Sequence, residues 1–197
     1  MIRYIFSVLT LLVGVSAQAQ TQALSLFEVP FSFELPQGWR LAEQEVRGDM
    51  TSAEFVPATD SLNEWGALIC VQSFRLATNG TTPEEFLDGL AQQYQQSCQG
   101  DSSYEKLGET QIDGQRGYHA ILACSKMPAL HKSLENQPSF VSEPAGEAGY
   151  YSVFQRPGQL MLLHKSMRME VFSSGNVPVT PSNYQEFIAP MLPLRLQ

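Results

Sequence analysis

The sequence predicts an α+β fold, an antiparallel β-sheet flanked by helices, and three observations carry that reading. Two turn signals, Asp113-Gly114 and Pro157-Gly158, each separate runs of strand-forming residues, as antiparallel hairpins require. One segment, Thr82 to Cys98, has a clear helical period and a start signal. A second helix signal occurs near the C-terminus, so hairpins outnumber helices and no β-α-β alternation appears.

The elements follow in chain order. Met1 to Arg3 carries one positive charge, Tyr4 to Val15 is an apolar run, and Ser16-Ala17-Gln18-Ala19 supplies a small-x-small cleavage site. This predicts a signal peptide over residues 1–19, cleaved before Gln20, and a single globular α+β domain over residues 20–197 of the 197-residue chain. The apolar run is about a dozen residues, short of the roughly 20 that span a hydrocarbon core, so no stable membrane anchor is expected. The expected location is beyond the inner membrane, in the periplasm.

Phe31-Ser-Phe-Glu-Leu35 alternates apolar and polar residues, a half-buried strand that Leu24 to Val29 would extend. Pro36-Gln-Gly38 then predicts a hairpin into Trp39. Strands follow at Ser52 to Val56 and Trp65 to Phe74, the latter apolar enough for a central position. In the first helix Thr82 caps, Pro83 suits the first turn and Glu85 completes a capping box; Phe86, Leu87, Leu90, Tyr94 and Cys98 form one apolar face.

Tyr104 to Ile112 and Gln115 to Ser125 read as a hairpin, with Tyr118, Ala120, Leu122 and Cys124 on one face. Pro128 to Gly146 shows no periodicity and reads as a long loop. Tyr150 to Gln155 and Gln159 to Val171 form the last hairpin. A final helix runs from a Thr180 cap and Pro181 to about Ala189.

The Leu35-Pro-Gln-Gly-Trp39 strand end, the capped helix Thr82 to Cys98 after a central strand, the Asp113-Gly114 hairpin, the Tyr-rich strand and the C-terminal helix resemble the PsbP-like family. That group includes the photosystem II extrinsic subunit, a Ran-binding nuclear protein and many secreted bacterial proteins. The resemblance covers about residues 27–194. It implies an α-β-α sandwich around an antiparallel sheet, usually without enzymatic activity, and carries no binding residue over to this chain.

The formal net charge is −8, and no cluster of Lys and Arg forms a stripe for phosphate, so nucleic acid is not an expected partner. Three cysteines in an exported chain predict one bridge and one remaining thiol. Cys98 with Cys124 is favoured if the helix covers the Tyr118–Cys124 face, with Cys70 then a buried core thiol; Cys70 with Cys124 stays open as the second pairing. No C-x-x-C motif is present, which argues for a structural bridge.

Chemistry-bearing patterns are sparse. Met161, Met167 and Met169 near His164 suggest thioether and imidazole ligands for copper, but strand parity places the methionines on one face and His164 on the other. His119 and His131 have no second ligand at a metal-binding spacing. Ser103-Tyr-Glu-Lys106 lacks the partner motifs of an acylating serine, and Glu84 and Glu85 suit a helix first turn. Tyr150, Tyr151 and Phe154, which follow the long loop, are the candidate ligand-binding aromatics, in a groove between that loop and the sheet edge that takes a peptide or small molecule. The expected function is an exported, non-enzymatic binding or accessory domain with a protein or small-molecule partner and no cofactor. The alternatives are a periplasmic copper-handling protein and an enzyme whose site is dispersed in sequence.

Overall fold

The computed structural model describes residues 20–27, 29–75, 80–131 and 140–196. The predicted leader, residues 1–19, lies outside them. The strands are β1 (Gln20–Leu26), β2 (Val29–Leu35), β3 (Trp39–Arg47), β4 (Met50–Pro57), β5 (Ala67–Arg75), β6 (Ser102–Ile112), β7 (Gln115–His131), β8 (Phe140–Arg156), β9 (Gln159–Met169) and β10 (Arg195–Leu196). The helices are α1 (Pro83–Ser97) and α2 (Tyr184–Ile188).

Seven strands form an antiparallel sheet in the order β3-β4-β5-β9-β8-β7-β6, and β1-β2-β10 form a second sheet. Each predicted hairpin turn has the backbone that its glycine permits. Asp113 and Gly114 take φ of 46° and 79°, and Gly158 takes 73°, values that match the right-handed twist of the flanking strands. Inside β8, by contrast, Gly149 is a close-approach position: a Cβ there would lie 2.5 Å from Ser166 Oγ and 2.8 Å from the Lys165 carbonyl.

One face of the large sheet is covered by α1, whose Leu87 and Ala91 pack on Ala120, Leu122, Tyr151, Val153, Leu160 and Leu162. The start of α1 is the capping box that its sequence announces: Glu85 N donates to Thr82 Oγ1 at 3.2 Å, and Thr82 N donates to Glu85 Oε2 at 2.8 Å. Thr82→Ala should therefore cost about 1 kcal/mol and lower the Tm by roughly 2–4 °C, read by thermal circular dichroism.

The other face departs from an α-β-α arrangement. It is covered by the small sheet and the short α2, with Phe31, Phe33 and Leu35 of β2 packed against Phe55, Ile69, Val71, Met161, Leu163, Ile188 and Met191. The reason is local: β2 alternates at period two, so it buries one face as a strand rather than as a helix. The predicted second helix also starts later and is shorter. Asn183 Oδ1 accepts the Thr180 N–H and Asn183 Nδ2 donates to the Pro178 carbonyl, holding 180–183 as a turn, and Pro190 ends the α-helix at Ile188. The fold is consequently β-dominated, with one substantial helix.

Three further expectations change. The Pro36–Gly38 turn forms, with Trp39 N donating to the Pro36 carbonyl, but it joins two sheets instead of pairing its flanking strands. Chain before Val29 does not extend β2; β1 folds back on it through Phe27, whose φ is 52°. The segment expected as a loop from Pro128 to Gly146 is strand over 128–131 and 140–146, while 132–139 lie outside the described residues. Register shifts at Cys124/Met127 and Met127/Ala129 break the alternation there, which removes the period-two signal from the sequence.

Candidate functional site

The α2 face holds a groove of about 600 Å3 between β6, β8, α2 and the C-terminal segment. Its walls include Ile112, Asp113, Gln185, Ile188 and residues 192–195, and its aromatic floor is His119, Tyr150, Phe154 and Tyr184. Strand alternation puts His119 of β7 and Tyr150 and Phe154 of β8 on this face, away from α1. The late start of α2 then lays Tyr184 over Tyr150.

The three polar aromatics form a regular cluster. Tyr150 and Tyr184 are parallel within 2°, and His119 stands edge-on at 84° to each, every centroid separation being 5.7 Å. His119 Nδ1 and the Tyr150 hydroxyl share a hydrogen bond of 3.1 Å. Burial pushes the His119 pKa down and the Tyr150 phenol up to about 12, so both rings are neutral at pH 7. The floor thus presents uncharged rings with polar edges.

The groove wall is clasped from far along the chain. Asp113 Oδ2 accepts a 2.7 Å hydrogen bond from Leu196 N, and Arg195 Nη1 lies 3.5 Å from Asp113 Oδ1. The hairpin aspartate therefore anchors the C-terminal segment as well as shaping its own turn. A larger depression, about 700 Å3, lies at the start of α1 beside Thr82, Glu84, Arg116 and Tyr118. Two of its polar groups, Thr82 in the cap and Glu84 on Lys106 at 2.8 Å, already have partners, and Tyr118 is its one aromatic among the described residues, so the groove with its aromatic floor is the better candidate despite its smaller volume.

Of the aromatics singled out from sequence, Tyr150 and Phe154 line the groove. Tyr151 sits on the opposite face under α1, bonded to Ser166 Oγ at 3.2 Å. His119, Tyr184, Asp113 and Arg195 were not identified as binding residues, because nothing within a few positions of each reveals its neighbours. Met161 is in the core beneath β2, and Met167 packs near Val179 and Phe172 at the other end of β9. Six residues of extended chain separate these two by about 20 Å. Cys98 and Cys124 form a disulfide tying the end of α1 to β7, and Cys70 is a buried free thiol. The side chain of His131 lies outside the described residues.

Among the described residues no group of three or more His, Cys, Asp or Glu is placed to hold a metal ion, and no helix is long and apolar enough to cross a membrane. The described chain is thus an antiparallel-sheet domain with one helix-covered face and one grooved face. No protein-family model matches the sequence, and no curated protein matches it. Among solved structures, the chain is similar to the cyanobacterial PsbP (CyanoP) of Synechocystis sp. PCC 6803, at 15% identity over 89% of both chains with a TM-score of 0.44. It is also similar to the Ran-binding protein Mog1p of Saccharomyces cerevisiae, at 10% identity over 89% of this chain and 86% of that one, TM-score 0.45. Neither carries a residue role to this protein.

Proposed function

We propose that this chain is an exported, non-enzymatic binding or accessory domain that takes an uncharged ring or apolar side chain, from a small molecule or a peptide, in the groove over Tyr150. The observation that carries this reading is the cluster of aromatic rings, His119, Tyr150 and Tyr184, flooring a groove of about 600 Å3. Ligand sites are mostly apolar and aromatic with a few polar groups that orient the occupant, and here the ring edges, Gln111 and Gln185 are placed for that role. Tyrosines are favoured in such sites because they supply contact area at little entropic cost. Export is supported by the leader pattern of residues 1–19 and by a bridge that persists in an oxidising compartment.

The test is 15N NMR of residues 20–197 titrated with capped di- and tripeptides bearing aromatic or aliphatic side chains. Shifts should map to Asp113, His119, Gln185 and Arg195, and Tyr184→Ala should weaken binding at least about tenfold, equivalent to roughly 1.4 kcal/mol. Binding that survives Tyr184→Ala undiminished, or shifts confined to the α1 face, would overturn the groove assignment. Chemical conversion of the bound compound would overturn the non-enzymatic reading.

A further inference from the structure

We propose that Cys70 and His164 form a buried two-coordinate site for a soft monovalent metal ion, cuprous copper above all. The site is independent of the aromatic groove and lies on the opposite face of the sheet. Cys70 on β5 and His164 on β9 are directly opposed partners in the antiparallel ladder, so their side chains leave the same face side by side. Cβ atoms of such pairs are about 4.5–5.5 Å apart, a span that one metal ion can bridge between sulfur and ring nitrogen.

His164 has no structural occupation for its polar atoms. The residue as a whole is partly buried, yet each ring nitrogen exposes less than 1 Å2 and neither has a hydrogen-bond partner. The polar side chains beside it on this face, Tyr151 and Ser166, bond each other. The imidazole is held edge-on to Tyr151 at 4.8 Å between ring centroids, with Cys70 on its other side. An aliphatic or phenyl side chain would fill this place without stranding two polar atoms, so the imidazole is not explained by packing.

Cys70 is the complementary half. It is 1% exposed and excluded from the Cys98–Cys124 bridge, and it packs with Val56, Trp65 and Leu68 beneath the 58–66 segment. Thiolate and imidazole select copper(I) over harder ions, and monovalent ions of this kind accept two ligands.

On binding, the Cys70 S–H bond breaks, sulfur and one His164 nitrogen each donate an electron pair to the ion, and no centre changes oxidation state. The released proton leaves by way of Glu54, which faces Cys70 from β4 and hydrogen-bonds to its thiol. The Met161, Met167 and Met169 side chains take no part, because their parity puts them on the other face.

The experiment is an anaerobic titration of residues 20–197, bridge intact, with cuprous ion buffered by bathocuproine disulfonate. The wild type should take one ion per chain, and copper X-ray absorption should show one sulfur and one nitrogen ligand. His164→Leu and Cys70→Ala should each weaken binding at least about 100-fold, while the triple variant Met161→Leu, Met167→Leu, Met169→Leu keeps it. Metal-free His164→Leu should match or exceed the wild-type Tm, which separates loss of a ligand from loss of the fold if Cys70→Ala is unstable. No competition with the chelator by the wild type, or full binding by His164→Leu, would overturn the site.

Discussion

Cys98→Ser should lower the unfolding free energy by about 3 kcal/mol, because the bridge it removes constrains an unfolded chain over a sequence separation of 26 residues. The location makes the loss matter. α1 has only Leu87 and Ala91 fully buried, so the bridge at its end is a major tie to the sheet. At roughly 2–4 °C per kcal/mol, the Tm should fall by about 6–12 °C. Cys124→Ser should give a similar loss, and the double variant should be scarcely worse than either single one, since all three lack the same bond. Cys70→Ser should keep the disulfide and, in the metal-free protein, affect stability through packing. A Cys70→Ser protein lacking the bridge would show that Cys70 is one of its members in solution.

Arg168→Met should cost about 3–5 kcal/mol at pH 8 by leaving a buried carboxylate without its partner. Arg168 Nε donates to Glu147 Oε2 at 2.9 Å, and the guanidinium lies 4.1 Å from the Trp65 ring centroid. The two side chains are 18% and 10% exposed, so solvent screens them little. Burial raises the Glu147 pKa even though Arg168 opposes the rise. In the wild type this group therefore costs stability as pH rises from the unfolded value, near 4.5, through its higher folded value. Without Arg168 the folded value rises further. The deficit of the variant should be largest at high pH and shrink as pH falls through that value, because the protonated carboxyl needs no cation. Urea unfolding at pH 8, 6 and 4.5 measures this; a deficit independent of pH would mean that lost packing on Trp65, not the ion pair, is responsible.

The elements most legible in sequence are those whose cause lies within a few residues. Thr82 and Glu85 close their capping box across three positions, and Asp113-Gly114 bends the chain by its own backbone preference. The errors arose where the cause was distant. Pro36-Gln-Gly38 is a turn on any local criterion, but the partner of β2 is β1 behind it, and β10 closes the other side from the end of the chain. The bulges near Met127 erased the alternation by which the extended β7–β8 ladder could have been recognised. In the candidate groove, Tyr150 and Phe154 were legible as aromatics on one strand. Their companions were not, since His119 reaches Tyr150 across a strand pair and Tyr184 arrives from α2.

By itself, then, the sequence determined the turns, the capped helix and the alternating faces of the strands, because dihedral preference and hydrogen bonds between near neighbours act before the chain has any global shape. Tertiary structure alone decided which strands became partners, which face carries the groove and which side chains meet in it. Asp113 holds Leu196 across 83 positions, and Cys70 stands opposite His164 only because β9 returns beside β5. Such meetings depend on strand order and register, which are selected by burying both faces of the sheet at once, and no local window of residues contains that competition.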